Sequence, residues 1–163
     1  MYPTDLTVAA VVHRDGYYLL VEEHAMGRIV LNQPGGHIEA GETAEVAVIR
    51  EVLEETGCHV ACGGIIGTYL WIQPQTRQQF LRIVFTAEYI GCDERRELDD
   101  SIIARCWLYK EEIEKRRSEL RSPVVLRCVH DYESGRRQSD ALLSDMLPLQ
   151  NNVDAMLAQA DLV

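Results

Sequence analysis

Residues 32–57 read NQPGGHIEAGETAEVAVIREVLEETG, and this stretch limits the fold more than any other. Pro34, Gly35, Gly36 and Gly41 break regular structure before Thr43, so 32–42 is turn chemistry. Thr43 has the chemistry of a helix N-cap, and Gly57 is a natural residue just past a helix end. A helix over 43–56, preceded by an irregular glycine turn, is therefore expected. On a wheel at about 100° per residue, Val46, Ile49, Val52 and Leu53 share one broad face, expected to pack on a sheet. Glu51, Glu54 and Glu55 gather on the other side, flanked by Arg50. Ala44 and Ala47 lie in the same arc as the glutamates, and their small side chains leave room for the preceding Pro34-Gly35-Gly36 turn.

Three carboxylates at helical spacing repel one another. A solvated acidic face is the ordinary reading of such a cluster. A divalent cation is the alternative: oxygen ligands alone suit Mg²⁺, Mn²⁺ or Ca²⁺, and a glycine turn can add a carbonyl. Mg²⁺ keeps several waters and accepts substrate phosphates, so such a patch suits phosphate chemistry.

Charge and composition narrow the classes. The chain has 163 residues, 47% hydrophobic and 26% charged, which is globular. Its 26 acidic against 16 basic residues give a net charge of −10. That argues against long nucleic acid or an anionic membrane as partner, but not against a small phosphorylated ligand neutralised by a metal. The five cysteines form no CxxC and read as free thiols of a reducing cytosol. The histidines have no zinc-site spacing. No apolar run approaches the length of a membrane span, and the N-terminus is unlike a signal peptide, so a cytoplasmic protein is expected.

The remaining pattern is that of one α+β domain, 1–163, with a core over about 6–137 and a tail over 138–163 whose VDAMLAQA has helical periodicity. β-Rich runs at 6–14 and 17–23 flank Asp15-Gly16, a hairpin signal. A short run follows at 29–31. Runs at 63–73 and 79–90 form a second expected hairpin, and 102–109 is the last strand. KEEIEKRR and SPVVLRCVHDYESG read as helices, the second with Pro123 in its first turn and Gly135 beyond its end. Arg82 lies within FLRIVF, where an unpaired charge is costly, so it must face solvent, a carboxylate or a phosphate. Arg28 and Arg121 are further candidates for phosphate, Trp71 or Tyr69 for stacking on a base, and Gln33 and His37 flank the glycine turn.

From Gly36 to Cys58 the sequence GHIEAGETAEVAVIREVLEETGC resembles the Nudix box, G-x(5)-E-x(7)-R-E-U-x-E-E-x-G-U, where U is bulky and aliphatic. Gly36, Glu42, Arg50, Glu51, Glu54, Glu55 and Gly57 match, Val52 fills the first U and Cys58 stands at the second. The resemblance implies an α/β/α sandwich around a mixed sheet. It implies hydrolysis of a phosphoanhydride by water, with Mg²⁺ or with Mn²⁺ in its place. Glu51, Glu54 and Glu55 would be the metal-ligating carboxylates, with the Gly36 carbonyl as a backbone ligand. Arg50 would orient a glutamate, and Glu42 and Gly57 would support the loop and helix. Glu54 or Glu55 is preferred as general base over Asp99, because Ser101 stands where many relatives carry an acid before the last strand.

NQPGGHIEAGET, WIQP, FLRIVFTAE, RCWL and LRSPVV…YESGRR are similar, in order and spacing, to the NudJ branch of bacterial phosphatases within this family. That likeness implies a nucleoside tri- and diphosphatase releasing orthophosphate and acting also on hydroxymethylpyrimidine pyrophosphate. The alternatives are a pyrophosphohydrolase acting on nucleotides or RNA 5′ ends, and a non-catalytic nucleotide-sensing module. The partner is a small nucleotide or pyrophosphate, and the chain is expected to be a monomer or homodimer.

Overall fold

The computed structural model describes residues 3–139, 142 and 143. Its strands are β1 (Thr4–Arg14), β2 (Tyr17–Ala25), β3 (Arg28–Asn32), β4 (Cys58–Ile72), β5 (Gln79–Cys92) and β6 (Ile102–Tyr109). Its helices are α1 (Ala44–Thr56), α2 (Lys110–Lys115) and α3 (Val124–Glu133), with a 3-10 turn at Arg117–Glu119. Each element expected within these residues is present; β4 begins five residues before the expected 63, directly after the α1 cap. The tail helix expected in VDAMLAQA lies outside the described residues.

Asp15 and Gly16 both adopt positive φ (52° and 87°), as a two-residue hairpin turn with the strand twist requires. The sheet is mixed, in the order β3-β2-β1-β5-β4, with β6 on the other edge of β2. β1 runs parallel to β5 through nine registered positions, whereas β2 pairs with β1 only beside the hairpin turn. Beyond it the two strands diverge, β3 takes over the edge of β2, and β1 is left with a free edge. The glycine turn fills that edge: Val8 and Ala10 donate their N–H groups to the carbonyls of Gly36 (2.9 Å) and Pro34 (3.0 Å).

Alternation along the strands divides the core into two layers. Val8, Ala10, Val12, Ile83 and Phe85 face α1, and Ala9, Val11, Val84 and Ile66 face α3 and Ile113 of α2. This is the expected α/β/α sandwich.

The orientation of α1 corrects the helical-wheel reading. Ala44, Ala47, Val48, Glu51, Val52, Glu55 and Thr56 are its buried positions, whereas Val46 and Ile49 remain 53% and 38% exposed. The alanines let the helix lie close to the sheet, and this brings the glutamates in the same arc inward toward the glycine turn. The apolar stripe therefore splits, and only Val52 of its four residues is fully buried. The reading of five free thiols is also corrected. Cys58 and Cys92 stand opposite each other in the β4–β5 register and form a disulfide, with their Cα atoms 4.0 Å apart. Cys62, Cys106 and Cys128 are free.

Candidate active site

Thr43 caps α1 through its Oγ1, which accepts the Val46 N–H, and Gly57 ends it with φ 69° and an N–H bonded to the Leu53 carbonyl. These caps fix the helix against the turn before it. The approach is close enough to exclude side chains. A Cβ on Gly36 would lie 2.5 Å from a Glu51 carboxylate oxygen, and one on Gly35 would overlap the Val8 carbonyl.

Arg50 binds the acidic cluster together. Its Nη1 donates to Glu51 Oε1 and Glu54 Oε2, each at 2.9 Å, and its Nε and Nη2 donate to the two Glu42 oxygens at 3.1 and 2.6 Å. Nη2 also reaches the His37 carbonyl at 3.0 Å. Glu42 in turn accepts the Glu39 N–H at 2.7 Å, which closes the loop before the helix. The bonds from Arg50 hold the Glu42 carboxyl below its ordinary range, and those same bonds, first the one to Glu42, raise the guanidinium's own value.

Glu55 lies deeper. Its Oε2 accepts the Gly35 N–H at 2.8 Å, and it is 7% exposed. Burial pushes its carboxyl up to about 8, against the Gly35 bond, and the nearby Glu23 and Glu51 charges add to the rise. Burial likewise raises Glu51, against its bond from Arg50. Two carboxyls made costly to ionise, a third half-exposed beside them and an oxygen-only donor set fit a hard divalent cation. The Gly36 carbonyl already accepts the Val8 N–H and keeps its second lone pair. Among the described residues, however, no three His, Cys, Asp or Glu side chains converge as a ready-made metal cluster. Arg50 Nη1 occupies the position between Glu51 and Glu54, so a cation must draw these carboxylates from it.

On the α3 side of the sheet, beyond the glycine turn, a cavity of about 610 Å³ opens. Gly35, Gly36 and His37 form part of its wall, and Glu55 and Glu51 of α1 lie against the two glycines. Registered strand positions supply its floor: Asp5 and Thr7 of β1, Phe80 and Arg82 of β5, and Trp71 of β4. Trp71 and Phe80 stand directly opposite each other, forming an aromatic end to the cavity. Arg82 donates to Thr7 Oγ1 at 3.4 Å and Asn32 Oδ1 at 3.2 Å, and burial lowers its value. Arg121 and Ser101 also line the cavity.

Of the residues expected at the substrate, Arg82, Trp71 and Arg121 line the cavity, and Arg28 and Gln33 do not. Arg28 is exposed and donates to the Ser118 carbonyl, because β3 directs it away to the 3-10 turn. Gln33 is 1% exposed, and its Nε2 is bound to the Val125 carbonyl at the start of α3. Tyr69 is tied to Asp131 of α3 (2.9 Å) and packs in the α3-side core, so it is unsuited to stacking on a base. Asp99 is exposed, and its N–H donates to the Glu54 carbonyl at the end of α1. Its charge is near enough to contribute to the rise at Glu51.

Glu23, Asn32 and Phe80 also line the cavity and were not apparent from sequence. The alternation that places Phe80 with Arg82 was legible within FLRIVF. Nothing in the local sequence marks Glu23 as an inward-facing carboxylate.

The sequence model of the NUDIX domain matches residues 3–128. A protein of Shigella boydii named phosphatase NudJ is 39% identical over 145 residues, covering 89% of this chain and 94% of its own length. The protein of the same name from Escherichia coli K12 is 38% identical over the same shares. Among solved structures, a Nudix hydrolase from Nitrosomonas europaea superposes with a TM-score of 0.84 at 38% identity, covering 88% of this chain and 97% of that one. A MutT protein from Methanosarcina mazei Go1 gives 0.68 at 25% identity, covering 83% and 98%.

Proposed function

Because the chain belongs to the Nudix hydrolase family, we propose that it is a divalent-cation-dependent nucleoside tri- and diphosphatase, its 163 residues one domain, that releases orthophosphate. One observation carries this reading: buried Glu51 and Glu55 meet the Gly35-Gly36 turn, whose other side walls a cavity with Arg82 and Arg121. Carboxylates for a cation, arginines for phosphate oxygens and an aromatic end at Trp71 and Phe80 lie in one sequence along the site. A volume of about 610 Å³ is within the usual range for a small ligand. The relatives named phosphatase NudJ support orthophosphate as the product, and hydroxymethylpyrimidine pyrophosphate is a second substrate on the same likeness. The partner is a small phosphorylated molecule. Among the described residues no helix is long and apolar enough to cross a membrane, and the cytoplasm, where nucleotides are held, is the proposed location.

Glu51, Glu54 and Glu55, with the Gly36 carbonyl, would hold Mg²⁺ or Mn²⁺. Bound there, the cation lowers the pKa of water and neutralises charge developing on the phosphate oxygens. The chain's own groups do the rest. Arg50 keeps Glu51 and Glu54 facing the glycine turn, and Glu42 anchors Arg50 to the loop. Arg82 and Arg121 hold phosphate oxygens away from the cation. Trp71 and Phe80 take the heteroaromatic ring by stacking. Glu54 or Glu55 accepts the proton of the attacking water, ahead of the exposed Asp99.

The test is hydrolysis of GTP, dNTPs and hydroxymethylpyrimidine pyrophosphate with Mg²⁺, with phosphate and pyrophosphate assayed separately. Orthophosphate is the expected product. Pyrophosphate as the sole by-product from GTP would assign a pyrophosphohydrolase instead. Binding without turnover of any of them would make the protein a nucleotide sensor.

A further inference from the structure

Four side chains from four separate segments form one continuous hydrogen-bonded row at the cavity floor. Arg121, ahead of α3, donates through Nη1 to Glu23 Oε1 of β2 at 2.9 Å. Asn32, at the end of β3, donates through Nδ2 to that same oxygen at 2.9 Å. Asn32 Oδ1 accepts Nη1 of Arg82, on β5, at 3.2 Å. All four residues line the cavity, and Glu23 and Asn32 are 6% and 3% exposed.

The row has an imbalance of charge. Glu23 neutralises one guanidinium, the one it touches. Arg82 bonds only to the neutral Thr7 and Asn32, and among the described residues no carboxylate lies within ion-pair distance of it. Arg82 is therefore balanced only through space, by the Glu23 and Glu55 charges, a costly arrangement for a half-buried guanidinium that an anionic ligand would relieve. Asn32 is suited to its place because its amide has a donor for Glu23 and an acceptor for Arg82. A carboxylate or an apolar residue there could not serve both.

We infer that Glu23 is a positioning residue that, through Arg121 directly and through Asn32 to Arg82, aims two guanidiniums at the phosphate oxygens of the substrate that the cation does not hold. The inference rests on the phosphohydrolase reading of the same cavity. It assigns Glu23 and Asn32 to the recognition of a second phosphate, and so to preference for substrates with two or more phosphates.

Electrostatics alone predicts the opposite outcome, which makes the test sharp. Glu23→Gln raises the charge of the floor by one unit and, if Glu23 only screened the arginines, would tighten anion binding. If Glu23 positions them, binding weakens despite the extra positive charge. The full chain is titrated calorimetrically with inorganic pyrophosphate in EDTA, and GTP hydrolysis is then measured with Mg²⁺. For Glu23→Gln we expect pyrophosphate to bind at least tenfold more weakly and KM for GTP to rise about tenfold, with kcat within threefold of wild type. Asn32→Leu keeps the Glu23–Arg121 pair and the charge of Glu23, and removes the amide that links Glu23 to Arg82. It is expected to weaken pyrophosphate binding in the same direction, and it tests the row even if Glu23→Gln fails to fold. Unchanged or tighter pyrophosphate binding in these variants, or a fall in kcat at constant KM, overturns the inference. Wild-type protein that binds pyrophosphate through this row but hydrolyses no nucleotide would overturn the proposed function and leave the row standing.

Discussion

Glu55→Gln should stabilise the cation-free protein while abolishing its catalysis. The Glu55 carboxyl has a folded-state value of about 8 against an ordinary value of 4.5. A carboxyl whose value is raised on folding destabilises the fold as it ionises. The penalty is absent below about pH 4.5, grows as pH rises, and is complete above about 8. At pH 7 it amounts to ~3 kcal/mol, from 1.36 kcal/mol per pH unit. Glutamine keeps an oxygen for the Gly35 N–H and carries no charge, although its amide NH₂ then needs an acceptor at a cost of ~1–2 kcal/mol. The net gain at pH 7 is about 1–2 kcal/mol, or roughly 2–8 °C in Tm for a chain of this size. Thermal melts in EDTA at pH 5, 6, 7 and 8 would show the variant's advantage widening with pH. Melts with Mg²⁺ would show wild type gaining stability and the variant gaining little, because the cation offsets a buried negative charge the variant no longer has. An advantage that stays constant from pH 5 to 8, or a cation shift that survives the substitution, refutes both the electrostatic argument and the assignment of Glu55 to the metal.

Other outcomes follow from the same contacts. Cation binding at pH 7 should release close to one proton per site, since the Glu55 carboxyl, at about 8, is mostly protonated there; calorimetry in two buffers of different ionisation enthalpy measures it, and no release refutes the assignment. Gly36→Ala puts a methyl 2.5 Å from the Glu51 carboxylate, which can swing away, so Tm should change little while Mg²⁺ affinity falls ~10–100-fold. Arg50→Lys loses the fork that joins Glu42 to Glu51 and Glu54 and should lower kcat/KM by ~10–100-fold, with retention of the fold checked by circular dichroism. Trp71→Ala should raise KM for GTP by roughly 5–100-fold, the equivalent of ~1–3 kcal/mol of base stacking, with kcat nearly unchanged.

The parts of the molecule legible in the sequence are those fixed over short separations. The Asp15-Gly16 turn, the Thr43 and Gly57 caps and the Glu42–Arg50–Glu54 contacts join residues within one turn or one helix. Alternation within FLRIVF was likewise enough to mark Arg82 as a charge needing a partner. The helical wheel failed at α1 because it ranks faces by hydrophobicity alone. Depth against the sheet is set by what lies over the helix, and here the glycine turn took the alanine and glutamate side, leaving Val46 and Ile49 outside.

Sequence by itself determined the α+β class, the loop–helix motif and the clustering of Glu51, Glu54 and Glu55 beside a glycine turn, while the α/β/α layering came from the resemblance to the family. The motif and the cluster follow from turn chemistry and spacing along one segment. Tertiary structure decided which arginines reach the cavity, why Arg28 and Gln33 do not, and that Glu23 and Asn32 join Arg121 to Arg82. Those contacts depend on the register of β1 with β5 and on the divergence of β1 from β2. Strand pairing across 75 residues, as between Thr7 and Arg82, is a property of the whole sheet, so no local pattern could carry it.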